Sequence, residues 1–272
     1  MKTTFTLAGL ALALCSLSPA QETRGERVVV PARNTTRPRK LNVHLTHGAI
    51  TVKAHSGKDV IVESTGGRAP DGRPSTTSDG LHRIDIPPRG LTVEEEDNQI
   101  TVRVSAASNE GVVISVPPDT ALDLHTLHGE INVEGVNGEI AVESLNGKVT
   151  LSNVSGNVLA HSLNGALYAT MSRVDSAKPL SFTTLNGTID VTLPADFKAN
   201  VKLSTGHGGI YTDFDFKLGA AAGSITQQNS TSDGKFKVKI DRDQSITGTI
   251  NGGGPEAIFK TYNGTIYIRK KK

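Results

Sequence analysis

From Gly129 to Gly165 a glycine falls every nine residues (Gly129, Gly138, Gly147, Gly156, Gly165), and each is followed by alternating apolar and polar positions. The apolar pairs are Ile131/Val133, Ile140/Val142, Val149/Leu151, Val158/Ala160 and Leu167/Ala169. Alternation with period two is the strand signal, because successive side chains of a strand point to opposite faces. A turn-forming residue precedes each glycine: His128, Asn137, Asn146, Ser155 and Asn164. Asn-Gly readily adopts the left-handed conformations that end a strand. The pattern predicts short strands joined by tight turns, and no helix.

A longer period lies over the shorter one. Thr126-Leu127-His128-Gly129, Ser144-Leu145-Asn146-Gly147 and Ser162-Leu163-Asn164-Gly165 recur every 18 residues, and Thr184-Leu185-Asn186-Gly187 follows after 22. The four extra residues are expected within Met171–Pro179, where the alternation fails. The half-repeats between, at Gly138 and Gly156, resemble each other and differ from the first kind. Two unlike halves predict an all-β, parallel β-helix-like solenoid with 18–22-residue coils and Asn-Gly turns, most regular at 120–192. A five-residue strand cannot stand alone, whereas stacked coils pair each backbone group with the coils above and below. A hairpin sandwich is the competing architecture, but it does not explain the alternation of half types.

Specific columns follow. Ile131, Val149 and Leu167 are expected inside; Thr126, Ser144, Ser162 and Thr184 form a small polar column beside the turn. Asn146, Asn164 and Asn186 form an amide ladder ending at His128. Gly147 and Gly165 are expected at positive φ. The same words recur at Leu45–Val52, Gly206–Ile210, Ile246–Ile250 and Tyr262–Ile266, the last adding Asn263 and Gly264 as turn residues. Thr65–Gly80 and Ala220–Gly234 read as loops, Glu94–Asn98 as a hairpin tip, Gly252–Gly254 as a turn and Arg269–Lys272 as a basic tail.

Residues 1–20 have the form of a secretory signal: Lys2, an apolar stretch Phe5–Leu17, and Ser18-Pro19-Ala20 before the expected cleavage site. Residues 21–40 read as a lead-in segment, and 41–272 as the solenoid domain. The expected location is the periplasm, the cell envelope or outside the cell. Leu14 before Cys15 argues against lipidation. No later stretch is apolar enough for a transmembrane helix.

Composition narrows the function. With 29 basic and 27 acidic residues there is no excess for nucleic acid, and with no Trp and one Cys among 272 residues no thiolate zinc site or disulfide framework is expected. The motifs of hydrolases, zinc proteases and nucleotide-binding loops are missing, as is the recurring Asp of calcium-binding β-rolls. No catalytic residue, metal or cofactor is therefore expected. Two weaker patterns remain. Glu130, Glu134, Glu139 and Glu143 could form an acidic stripe of the kind a polysaccharide-cleaving β-helix needs, although a solvated face explains them as well. His125, Glu143 and His161 share one repeat position and should stack on an outward column, a possible outer binding face. Histidines in alternate coils are about 9.6 Å apart, too far to share an ion.

Val112–Pro117 leading into Leu122–Thr126, the Asn-Gly repeats, and the closing Gly248–Gly254 and Thr261–Ile266 together resemble the bacterial "putative adhesin" family. Its members are exported β-strand-repeat proteins with a domain of unknown function. The resemblance spans residues 41–268. It implies a β-helix-like fold at the envelope, no enzyme activity, and an unidentified envelope protein or surface polymer as partner. Three functions are carried forward: a non-enzymatic scaffold for adhesion or partner binding, a carbohydrate-active β-helix enzyme, and an envelope-stress regulatory scaffold.

Overall fold

The computed structural model describes residues 26–33, 37–65, 90–105, 110–219 and 245–272. The signal segment and most of both expected loops, 65–80 and 220–234, lie outside them. The first strands are β1 (Arg27–Val30), β2 (Lys40–His47), β3 (Ile50–Ala54), β4 (Val60–Ser64), β5 (Leu91–Glu96), β6 (Gln99–Val104) and β7 (Val112–Val116). The repeat follows as β8 (Ala121–His128), β9 (Ile131–Glu134), β10 (Ile140–Asn146), β11 (Val149–Gly156), β12 (Val158–Asn164), β13 (Leu167–Val174), β14 (Leu180–Asn186) and β15 (Ile189–Leu193). The chain ends with β16 (Ala199–His207), β17 (Ile210–Thr212), β18 (Phe216–Leu218), β19 (Ser245–Ile250), β20 (Glu256–Asn263) and β21 (Ile266–Lys270). No helix occurs among the described residues.

The strands form two long sheets, one of ten strands and one of eleven. Each coil lays one strand in the eleven-stranded sheet, turns a corner at a glycine, and lays the next in the ten-stranded sheet. Asn146-Gly147 is therefore a corner between sheets and not a hairpin. Pairing is parallel at a separation of 18 residues, with Ile131 beside Val149 and Val149 beside Leu167. These side chains and their counterparts from the other sheet fill the interior; Ile131, Val149, Leu167, Ile140, Val158 and Leu180 are all buried. Phe182 and Phe259 stack inside at 5.6 Å.

In the middle of the stack, spatial order follows chain order: β8–β9, β10–β11, β12–β13, β14–β15. At both ends it does not. The coil β2–β3 lies between β6–β7 and β8–β9, and the last coil, β20–β21, is inserted between β14–β15 and β16–β17. Antiparallel strands finish each end: β1 and β4 beside β7, β5 beside β6, and β18 and β19 beside β16.

Several expectations are corrected by this arrangement. Ile246–Ile250 is not a coil: β19 runs antiparallel to β16. Arg269 is not in a free basic tail, because β21 is flanked by β15 and β17, and Arg269 grips Asp190 through Nε at 2.7 Å and Nη2 at 3.0 Å. The extra residues of the long coil are Asp175–Pro179, since Met171 lies buried within β13. Val28–Val30 of the lead-in belongs to β1 of the ten-stranded sheet. The tip at Asp97-Asn98 is a hairpin turn, with φ of 48° and 65°.

The reason for the repeat glycines is also corrected. Gly147 and Gly165 do not have positive φ. A Cβ on Gly147 would instead run into the carbonyl oxygen of Gly129 in the coil below, one on Gly165 into that of Gly147, and one on Gly187 into that of Gly165. Gly264 and Gly129 repeat the contact against Gly187 and Gly48. Close approach of one corner to the next, not turn conformation, demands glycine here. In the second column, Gly138 lies against Thr120 in the same manner, and Gly156 combines crowding by Gly138 with a φ of 102°.

The hydroxyl column stands beside these corners. Ser144 donates to Gly129 O at 3.3 Å, Ser162 to Gly147 O at 3.3 Å, and Thr184 to Gly165 O at 3.0 Å. Thr261 and Thr205 extend the column by donating to Gly187 O at 3.0 Å and Gly264 O at 2.9 Å. Thr126, at the other end, has a buried hydroxyl with no partner. The amide ladder runs through Nδ2–Oδ1 bonds from Asn263 to Asn186 (2.7 Å), Asn186 to Asn164 (2.7 Å) and Asn164 to Asn146 (2.9 Å). His128 meets Asn146 at 3.3 Å, and His47 stacks on His128 at 5.3 Å, so the ladder continues past its expected end.

Candidate binding face

The outer side of the eleven-stranded sheet gathers the features of most chemical interest. Three columns face outward. The central one runs Arg103, His44, His125, Glu143, His161, Thr183, Lys260, Ser204 along paired positions of neighbouring strands. The structure thus places His125, Glu143 and His161 side by side in the order the repeat requires.

His125 is the hub. Its Nε2 lies 2.7 Å from Asp123 Oδ1 and its Nδ1 lies 3.2 Å from Glu143 Oε2. Asp123 is also bonded to Lys40 Nζ at 3.0 Å. Burial pushes the Asp123 carboxyl up, but Lys40 and His125 outweigh it and hold the group below its ordinary value. His44 stacks on His125 with ring centroids 4.9 Å apart. Burial, helped by the neighbouring His125, holds His44 below the usual histidine value. Among the described residues no group of three or more His, Cys, Asp or Glu side chains could hold a metal ion.

The second column was missed in the sequence. Leu127, Leu145, Leu163, Leu185 and Tyr262 occupy successive strands one step closer to the corner, by the register of their neighbours. Four of them are well exposed, from 38% at Leu145 to 54% at Tyr262. Leu159, 45% exposed, joins them from the third column, which runs Asp123, Ala141, Leu159, Ser181, Ile258, Lys202. The signal was present: Leu127 has the same alternation parity as the outward His125, so both must face solvent. A contiguous apolar patch of this kind on a soluble domain marks an interaction surface more often than scattered leucines do.

At one end the patch deepens. Gly206 takes the stripe position next to Tyr262, and a Cβ there would meet the Tyr262 ring at 2.8 Å. The ring therefore lies across Gly206, with the His207 imidazole edge-on at 5.5 Å. A groove of about 650 Å³ opens here between Leu163, Leu185 and Tyr262 on one side and His161, Ser204 and Lys260 on the other.

The acidic stripe does not form. Glu134 lies on the ten-stranded sheet and Glu143 on the eleven-stranded one. Each carboxylate has its own cationic or histidine neighbour: Glu130 with Lys148, Glu134 with Lys53, Glu139 with Lys178, and Glu143 with His125.

A two-sheet parallel solenoid with glycine corners and an exposed apolar-and-histidine face defines a class of repeat scaffold. The particular family follows from comparison: the Toastrack DUF4097 family model matches residues 28–247, and the chain belongs to that family. The match ends before β20, so the inserted last coil lies outside it. No curated protein matches the chain. Among solved structures it is similar to a "putative cell adhesion protein" from Clostridium sporogenes, at 11% identity and a TM-score of 0.48, covering 91% of this chain and 100% of the other. It is also similar to a "putative adhesin" from Bacteroides fragilis, at 13% identity and a TM-score of 0.31, covering 90% and 97%.

Proposed function

We propose that the protein is an exported, non-enzymatic scaffold of the cell envelope or surface that binds a partner through the outer face of its eleven-stranded sheet. The observation that carries this reading is the stripe Leu127, Leu145, Leu163, Leu185 and Tyr262, left open to water on a rigid sheet. Covering each leucine returns about 1 kcal/mol or more, so the stripe supplies several kcal/mol to any flat partner. The charged column beside it, with His125 clamped between Asp123 and Glu143, gives such a partner orientation. The dispersed, paired carboxylates favour binding over glycoside cleavage.

The test uses the mature chain from Gln21 with the substitutions Leu145→Asp and Leu185→Asp. Both should leave the circular dichroism spectrum intact and remove capture of envelope components that the wild type retains. Hydrolysis of envelope polysaccharide by the wild type, abolished in a folded Glu143→Ala variant, would instead establish the enzyme. Export is tested by mass spectrometry of the secreted protein. A mature N-terminus at Gln21 supports it, and a diacylglyceryl group on Cys15 would make the protein a lipoprotein.

A further inference from the structure

The outward columns of the eleven-stranded sheet are not evenly charged. Acidic groups fall on one half of the repeat, Asp123 on β8 and Glu143 on β10. Unpaired basic groups fall on the other, Lys260 on β20 and Lys202 on β16. In spatial order the strands run β8, β10, β12, β14, β20, β16. The midpoint of this series lies between β12 and β14. A two-fold axis placed there, parallel to the strands, keeps each column opposite its own column and reverses the order of coils.

That operation matches the face to itself. Glu143 of one copy comes opposite Lys260 of the other, and Asp123 opposite Lys202. In the apolar column Leu163 meets Leu185, Leu145 meets Tyr262, and Leu127 meets the side-chain-free position at Gly206. In the third column Leu159 meets Ser181 and Ala141 meets Ile258. Because the contact is isologous, each match occurs twice. A like-charged match, Glu139 against Glu256, falls at the strand starts, where Lys178 already neutralises Glu139. Lys260 and Lys202 have no ion pair among the described residues, so each is free to accept a carboxylate from outside.

We infer that the partner of this face is a second copy of the same chain, packed face to face across a two-fold axis between β12 and β14. The inference rests on the reading of this face as the interaction surface and names its occupant. Six strands at ~4.8 Å spacing and about five residues at ~3.3 Å rise give a footprint of roughly 500 Å² per copy. This is smaller than the ~800 Å² per partner of a standard interface, so the dimer is expected to form at micromolar and not nanomolar concentration.

The test is sedimentation velocity of the mature chain over a micromolar concentration series, with two charge reversals. Wild type should shift from monomer to dimer. Glu143→Lys and Lys260→Glu should each weaken dimerisation by about tenfold or more, since each places two like-charged pairs across the axis. The double variant Glu143→Lys/Lys260→Glu should restore it. Thermal melts of all four proteins establish that each is folded. A wild type that stays monomeric overturns the inference, as does a dimer indifferent to both reversals or one that the double variant fails to restore. If the wild type is monomeric but Leu145→Asp still loses capture of envelope components, self-pairing falls and the face remains the binding surface. If dimerisation follows the charges and capture is unaffected by Leu145→Asp, the face serves self-association alone.

Discussion

The middle of the stack and its two ends close their coils by different means. From β8 to β15 each coil lies on the one before it in sequence, and every corner repeats the same contacts. A glycine admits the carbonyl below, a hydroxyl donates to that carbonyl, and an asparagine amide bonds to the next asparagine. At the ends the chain abandons sequential order. It slides β2–β3 between β6–β7 and β8–β9, inserts β20–β21 between β15 and β17, and finishes with antiparallel strands. A strictly sequential solenoid would leave full parallel edges open to further pairing, whereas antiparallel caps close those edges. The middle is a set of local solutions, and the ends are long-range ones. Chain termini are tied in as interior coils, so unravelling from either end must break contacts with two neighbours.

The largest expected effect tests the middle. Gly165→Val places a branched side chain against the Gly147 carbonyl and must push two coils apart; a loss of about 3 kcal/mol or more is expected in urea unfolding. Gly252→Ala, in the cap turn with a φ of 89° and open space around it, should cost only about 1 kcal/mol of local strain. Equal losses would show that the corner column is no tighter than the turn.

A second contrast uses the hydroxyl column. Thr184→Val removes a donor from a carbonyl inside the stack and should destabilise by about 1 kcal/mol. Thr126→Val, where the hydroxyl already has no partner, should be neutral or stabilising by the same measurement. A matching loss at Thr126 would mean that a donor–acceptor pair forms there as well.

A smaller effect is expected on the binding face as pH changes. His44 is held below its ordinary value, so the unfolded chain binds the extra proton first as pH falls below about 6.5. Stability should therefore decline through that window and level off beneath the folded value. His44→Gln should flatten the decline in melting temperature. Asp123, also held low, contributes stability above its ordinary unfolded value of about 4 and loses it as the pH falls through the folded value. A pH profile unchanged by His44→Gln would sever the histidine pair from stability. The smallest effect belongs to Glu143→Ala, which on its exposed column should move stability by no more than about 0.5 kcal/mol.

Much of the middle was legible because its contacts are local in the repeat. Register at 18 residues follows from Ile131, Val149 and Leu167; the hydroxyl and amide columns follow from Ser144, Ser162, Asn146 and Asn164 recurring in step. Outward placement of His125, Glu143 and His161 follows from alternation, and the same rule would have exposed Leu127 and Leu145 had it been applied to apolar residues. Glycine's role was misassigned because sequence shows that a Cβ is excluded without showing what excludes it. Turn conformation and close approach leave the same letter.

By itself, then, the sequence determined the strand period, the two kinds of half-coil and the residues of each column, since these depend only on which way successive side chains point. Tertiary structure alone decided where Thr261-Tyr262-Asn263-Gly264 would go. Its pattern fits beside any coil carrying the same word, and the energy of stacking Phe259 on Phe182, Asn263 on Asn186 and Tyr267 on Tyr211 exists only once the chain has returned. The binding face was decided in the same way: Leu185, Tyr262 and Gly206 are distant in sequence or differ in chemistry, and only the inserted coil brings them into one groove.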